Sequence, residues 1–333
     1  MNVIYKIVLI FILLFKGCEK KVSSGAPTLP LEYEILWESA GDITTRVYCL
    51  QSTGGVLFAG TYNGLYFSSD SGQTWNVINT GLNISTIRAL AVKDELIFAA
   101  GGILEGGVSV SSDNGMTWKD ANNGLPNTSV SSLAVNNKYL FAGTFGYGIF
   151  ISDDNGSKWR RINSGLPATI GDVTALAVDG DRIMALINSD TSGFFISENF
   201  GVSWKNMSEG LPPVHTDFTS LAVHDNFFFL SADGDSGGVF VMPKGGNSWS
   251  RLSLPDRSVS IVALKGSVIF AGGFGGMSAS TNGGADWVPA DNGLYPQGLP
   301  DVNAILWLQN DLWAGLNFGG VYRLPLPQSL SYR

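Results

Sequence analysis

Apolar residues along this chain come in short runs separated by clusters of Gly, Asn, Asp and Ser. No long stretch carries the 3.6-residue period of a helix, and the runs have the length and punctuation of strands. Four kinds of run recur in a fixed order. The first reads V-x-x-L-A-V, as in VSSLAV (130–135) and VTALAV (173–178). The second is an FAG-type strand, as in LFAGT (140–144) and IFAGG (269–273), and the third opens G-[VIF]-[FY], as in GIFIS (148–152). The fourth passes through a tryptophan. This order predicts an all-β chain built from four-stranded units.

The approach to each tryptophan is itself a motif. SSDSGQTW (68–75), SSDNGMTW (111–118), SDDNGSKW (152–159), SENFGVSW (197–204), MPKGGNSW (242–249) and STNGGADW (280–287) align in register, with tryptophan spacings of 43, 41, 45, 45 and 38 residues. A period near 40 with strand-like content points to a propeller. Within the octet, Asp70, Asp113 and Asp154, and Asn199 and Asn282 in the same place, are suited to accept backbone N–H groups in a turn. The glycine supplies a positive φ, and Trp75, Trp118, Trp159, Trp204 and Trp287 cover the space between neighbouring blades. In the fifth octet Lys244 stands in the acid's place, so that turn must be held another way.

Six octets suggest six blades, yet after Trp287 the chain still offers VNAILW (302–307), DLWAGL (311–316) and GVYRLP (320–325), with no tryptophan strand behind them. EILWESAG (34–41) matches WKDANNGL (118–125), with Trp37 in the tryptophan position. The expected architecture is therefore a seven-bladed β-propeller of four-stranded blades over residues 33–328. Its last blade has three C-terminal strands and is closed by the N-terminal strand, which leaves no free edge.

The octets resemble the Asp-box, or BNR, repeat of sialidases, sortilin-type receptors, xyloglucan-degrading hydrolases and photosystem II assembly-factor propellers, over about residues 33–325. Blade number, size and N-terminal signal are most similar to the assembly-factor propellers, which implies a rigid scaffold with one binding face. Candidates for that family's arginine patch are Arg46, Arg88 and Arg257. The sialidase pattern departs: its Arg-Ile-Pro signature is absent, the nine arginines suggest no triad, and its propellers have six blades. The xyloglucan-type cleft lies between two seven-bladed units, and this chain has length for one. A catalytic carboxylate pair remains open among Glu105, Asp172, Asp190, Asp217 and Asp301.

The first residues change the picture of location. MNVIYKIVLIFILLFKGCEKK holds Lys6, the nine-residue apolar run IVLIFILLF, then Lys16, Gly17 and Cys18. That run is too short to span a bilayer as a helix and fits the core of a secretory signal over residues 1–17. The Gly-Cys pair resembles the lipobox of bacterial lipoproteins, with Phe15 and Lys16 departing from the usual residues. Cys18 is the expected lipid attachment point, residues 18–32 a flexible tether, and the bacterial cell envelope (outer membrane or cell surface) the location; an ordinary secreted protein is the alternative. Cys49 is the one other cysteine, so no disulfide framework is expected. Losing residues 1–17 moves the net charge from −8 to −10. An acidic chain without a Lys/Arg cluster has no footprint for nucleic acid, and lipid alone would hold it to a membrane. A monomer without cofactor is expected.

Strands alternate direction within a blade, so the octet turns share one face and the loops between second and third strands share the other. On that loop face Tyr62, Phe145, Tyr147, Phe274 and Phe318 sit among glycines, placed to stack on sugars or hold apolar peptide side chains, or to plug the channel. In blade five PPVHTD (212–217) and SADGDSGG (231–238) bring His215, Asp217, Asp233 and Asp235 into one neighbourhood, a solvated turn or a site for Ca²⁺ or acid/base work. The GDSGG around Ser236 matches the serine-protease pentapeptide, but His224 is expected on the octet face and only His215 falls nearby, so the match reads as a glycine turn. The function expected is a non-catalytic, envelope-anchored scaffold recognising a protein or glycan on the loop face. The alternative is a glycoside hydrolase of sialidase-like or xyloglucanase-like propeller type.

Overall fold

Each four-run repeat folds into one antiparallel sheet, in chain order. The computed structural model describes residues 6–8, 32–34, 36–103, 106–190, 192–212, 216–254, 258–295 and 297–325. Blades one to six occupy 47–77, 87–120, 130–161, 172–206, 217–251 and 261–289, each with strands A to D from the axis outward. Blade seven consists of Val302–Leu308, Asp311–Leu316 and Val321–Pro325 with Glu38–Ser39 as its outer strand. The result is the seven-bladed all-β propeller expected from the repeats. Among the described residues there is no helix, and outside the blades Lys6–Val8 pairs with Glu32–Glu34.

The inner strands explain how blades stack. Their apolar residues fall at i, i+3 and i+5: Val130, Leu133 and Val135 in blade three, Val173, Leu176 and Val178 in blade four. In a regular strand the first would face away from the other two. Here all three join one core, because a β-bulge lies between Val130 and Ser132, and again between Val173 and Ala175, and inverts the alternation. The intervening small residues, Ala89 and Ala91 for example, take the opposite side and pack against the large residues of the next blade. Seven such cores run between the blades. The glycine of the FAG strand belongs to this packing: a Cβ at Gly143 would lie 2.6 Å from Val173 Cγ1.

The octets form the turns between strands C and D. In blade one Ser71 and Gly72 take left-handed φ of 58° and 80°. Ser68 Oγ donates to Asp70 Oδ1 at 2.7 Å and accepts from Gly72 N at 2.8 Å. Thr74 donates its amide to Asp70 Oδ1 (3.0 Å) and its hydroxyl to Oδ2 (2.6 Å). Asp113 repeats these contacts with Ser111 and Thr117, Asp154 and Asn199 repeat most of them, and Asn282 does so with Ser280 and the Asp286 amide while its Nδ2 donates to the Asp286 carboxylate. Lys244 is held differently: its amide donates to Asn226 O at 2.8 Å and its ammonium pairs with Asp179 of blade four at 2.7 Å.

Hydrogen bonds from Thr74 and Thr117 hold the Asp70 and Asp113 carboxyls at a pKa of about 2, below the ordinary 3.8. A depressed carboxylate stabilises the fold above its unfolded pKa and loses that contribution as pH falls toward the folded one. Acid titration should therefore weaken the wild type between pH 3.8 and about 2. The D70N/D113N variant is expected to show a smaller drop over that window, read as Tm against pH. Equal slopes would mean these carboxylates do not couple to folding.

Each tryptophan comes just before a strand D of only two residues, with the indole turned into the interface between blades. Five of the seven donate Nε1–H to the carbonyl three residues past the preceding blade's tryptophan: Trp75 to Ala40, Trp159 to Ala121, Trp204 to Ile162, Trp249 to Met207 and Trp37 to Ala290. Trp118 and Trp287 bond instead to Gly115 and Gly284 of their own turns. Trp37 is 3% exposed, and Glu38 and Ser39 pair with Arg323 and Tyr322, so the N-terminal segment closes the ring as expected.

Candidate functional site

The bulges that set the packing also build the mouth of the axial channel. In six of seven inner strands the bulged residue follows the first apolar one: Tyr48, Arg88, Ser131, Thr174, Thr219 and Asn303. Ser260 holds the same place in blade six. All seven line one cavity of about 570 Å³, together with Phe145, Asp172, Asn188 and Asp217. A bulge lifts a side chain out of the pleat and re-aims it, so one polar residue per blade reaches the axis while the apolar residues stay between blades.

The ring is not uniform. On the side of blades one and two, the Arg46 and Arg88 guanidiniums lie 5.6 and 5.5 Å from the Tyr48 ring centroid, within cation–π range. Arg46 also donates to Asn317, and Arg88 to Gly102 O at 3.2 Å. On the side of blades four and five stand Asp172 and Asp217. Asp172 accepts from Ser131 Oγ; burial pushes its carboxyl above the ordinary range, with the Ser131 hydrogen bond and the Arg88 charge opposing. Asp217, one blade on, is exposed. Between them the wall is tied together: Asn188 clasps both backbone groups of Phe218, each at 3.0 Å, and Thr174 donates to Phe218 O at 2.8 Å. Thr219 does the same to Val259 O at 3.0 Å.

The loop-face aromatics stand where the strand order places them, in solvent. Tyr62, Phe145, Tyr147, Phe274 and Phe318 are each about half exposed or more. Phe145 is anchored by a bridge to Asp172 of the next blade, and Phe274 likewise to Asp301. They crown the mouth without filling it; Phe145 alone of the five reaches the cavity wall.

Of the blade-five cluster, Asp217 and Asp233 are register partners on strands A and B, and Asp235 lies two residues further in the exposed turn. Asp233 accepts from Gly234 N at 2.7 Å and from Ser258 Oγ. His215, Glu105, Arg257 and Cys18 lie outside the described residues. Among the described residues no three His, Cys, Asp or Glu side chains come together as a metal site. Ser236 is exposed in its turn, and His224 sits at the other end of the blade, its amide bonded to Phe227 O in the A–B turn. Asp190 is exposed on the B–C turn of blade four, and Asp301 accepts from Asn317 Nδ2 at 2.7 Å. Cys49 is partly buried, its thiol pushed up to about 12 by desolvation. Of the ring, sequence reasoning named Arg88 alone and missed Tyr48, Ser131, Thr174, Thr219, Ser260 and Asn303.

A seven-bladed propeller with a polar axial mouth defines the class of molecule. No protein-family model matches the sequence, and no curated protein matches it. Solved structures match in fold. The GH74 xyloglucanase from Xanthomonas campestris is similar at 18% identity and a TM-score of 0.70, over 86% of this chain and 53% of that one. YCF48 bound to D1 peptide is similar at 19% identity and a TM-score of 0.69, over 89% of this chain and 98% of that one. The extracellular domain of a one-component system from B. thetaiotaomicron is similar at 15% and 0.71, over 86% and 40%. The chain thus spans about half of the xyloglucanase and nearly all of YCF48. At these identities the likeness is one of fold, shared by glycoside hydrolases and by a protein solved with a bound peptide.

Proposed function

We propose that this chain is a non-catalytic binding scaffold that takes a protein or glycan ligand over the axial mouth, on the face opposite the octet turns. Held in the bacterial envelope by lipid on Cys18 and spaced from it by residues 18–32, the propeller acts as a monomer. The observation that carries this reading is the ring of bulged polar residues under a crown of exposed aromatics. A rigid frame presenting loop side chains around a concave polar mouth suits recognition, and the hydroxyls of Thr174 and Thr219 are already engaged in holding blades together.

The test is retention from detergent-solubilised envelope, comparing wild type with the Tyr62, Phe145, Tyr147 and Phe274 to Ala variant. A protein or glycan held by the wild type and lost by an equally folded variant supports the scaffold. Glycoside hydrolysis is the second reading, favoured by Asp172 and Asp217 lining one cavity with one carboxyl raised toward its acid form. Polysaccharide cleavage abolished by D172N and D217N, with no retained partner, would replace the scaffold by the hydrolase.

A further inference from the structure

The loop face is divided into two sectors of opposite character. From blade six through seven, one and two to three, each B–C turn lifts at least one large apolar side chain into solvent: Phe274, Phe318, Tyr62, Ile103 and Phe145, all 50% exposed or more. Leu299, 67% exposed, joins the arc beside Phe274, because Gly275 N bonds to Pro300 O. Five consecutive blades showing apolar side chains on one face is more than the scattered exposure of an ordinary surface.

Blades four and five interrupt the arc. Their B–C turns carry Asp190 in one and Asp235 in the other, with Asp233 ending strand B and Asp217 opening the inner strand beside it. Asp190, Asp217 and Asp235 are exposed, and their carboxylates make no hydrogen bond or ion pair among the described residues. Arg251 reaches the blade-five turn from strand D, where it donates Nε–H to Gly237 O at 2.9 Å.

Resting on the scaffold reading, we infer that the ligand is a polypeptide segment with several large apolar side chains next to lysine or arginine. Its apolar part lies on the arc from blade six to blade three, and its basic part over blades four and five. Charge complementarity selects this occupant and sets its direction. A neutral glycan can hydrogen-bond the carboxylates but leaves their charge uncompensated, and Ile103 and Leu299 offer a sugar no flat ring to stack on. An anionic membrane surface would be repelled by the acidic sector.

The experiment is selection of a random phage-displayed peptide library on the purified propeller, with a glycan array probed in parallel. The two variants are Asp190, Asp217 and Asp235 all to Asn, and Tyr62, Phe145 and Phe274 all to Ser; every altered side chain is exposed, so both should melt like the wild type. Peptides combining apolar residues with Lys or Arg should be enriched. Their affinity should fall about tenfold or more in the Asn variant and in high salt, and vanish in the Ser variant. Enriched peptides that are acidic, or indifferent to the Asn variant, overturn the inference. Glycan binding lost in the Ser variant, without peptide enrichment, overturns the polypeptide and keeps the scaffold. No binding in either format removes both.

Discussion

A chain lacking residues 36–41 is expected to lose cooperative unfolding and to elute as aggregate. Its missing segment serves three blades at once. Trp37 donates its indole N–H to Ala290 O at 2.7 Å and its amide to Asn292 O at 2.9 Å, which ties it to blade six. Ala40 donates to Val321 O at 2.9 Å within blade seven, and its own carbonyl receives the Trp75 indole of blade one at 3.0 Å. Removal exposes the edge of Val321–Pro325, a template for pairing with another chain. Loss of one buried tryptophan costs about 3–5 kcal/mol, against a total stability of about 5–15 kcal/mol, so the ring has little reserve for the strand pairing lost as well. Size-exclusion chromatography and calorimetry decide it. A monomer with one sharp transition would show that the ring holds without its N-terminal strand.

Trp204→Ala is expected to destabilise by about 3–5 kcal/mol in denaturant unfolding. The side chain is 4% exposed, packs in the core between blades three and four, and donates to Ile162 O at 2.6 Å. Substitution leaves both a cavity and a carbonyl without its donor. Val202→Ala, on the tip of the same turn and 66% exposed, should change stability by no more than about 0.5 kcal/mol. Trp287, bonded within its own turn and less buried, should fall between them. If Trp204→Ala matched Val202→Ala, the indole would not be a staple between blades.

The repeat made most of the fold legible. The octet encodes its turn in adjacent residues, so Asp70 as acceptor and Gly72 as the positive-φ residue could be read before any coordinates, while the bonds of Ser68 and Thr74 that complete the turn came from the structure. The closure was legible because Trp37 repeats the register of Trp118. Strand direction alone put the aromatics on the loop face, but that they stand in solvent and leave the channel unplugged is written in no strand pattern. The axial ring was harder to see, since Tyr48, Ser131 and Asn303 share polarity but no identity. A signal existed: apolar spacing of i, i+3, i+5 is odd for a strand and betrays an inserted residue. Convergence of Asp172 with Arg88, two blades apart, depends on the diameter of the closed ring and is written in no local pattern. The Lys244–Asp179 pair was equally hidden, because its members come from different repeats 65 residues apart.

The bulges carry a consequence for how such a molecule can change. A residue ejected from the pleat is released from the alternation that feeds the cores between blades. Exchange at Ser260 or Asn303 moves no apolar group out of its layer, while at Ser131, Thr174 and Thr219 one bond to the next blade is also at stake. Scaffold and lettering are thus held in separate positions of the same short strand. The mouth can be respelled, by drift or by design, at almost no cost to the frame, and a propeller of this kind can pass from one ligand to another without refolding.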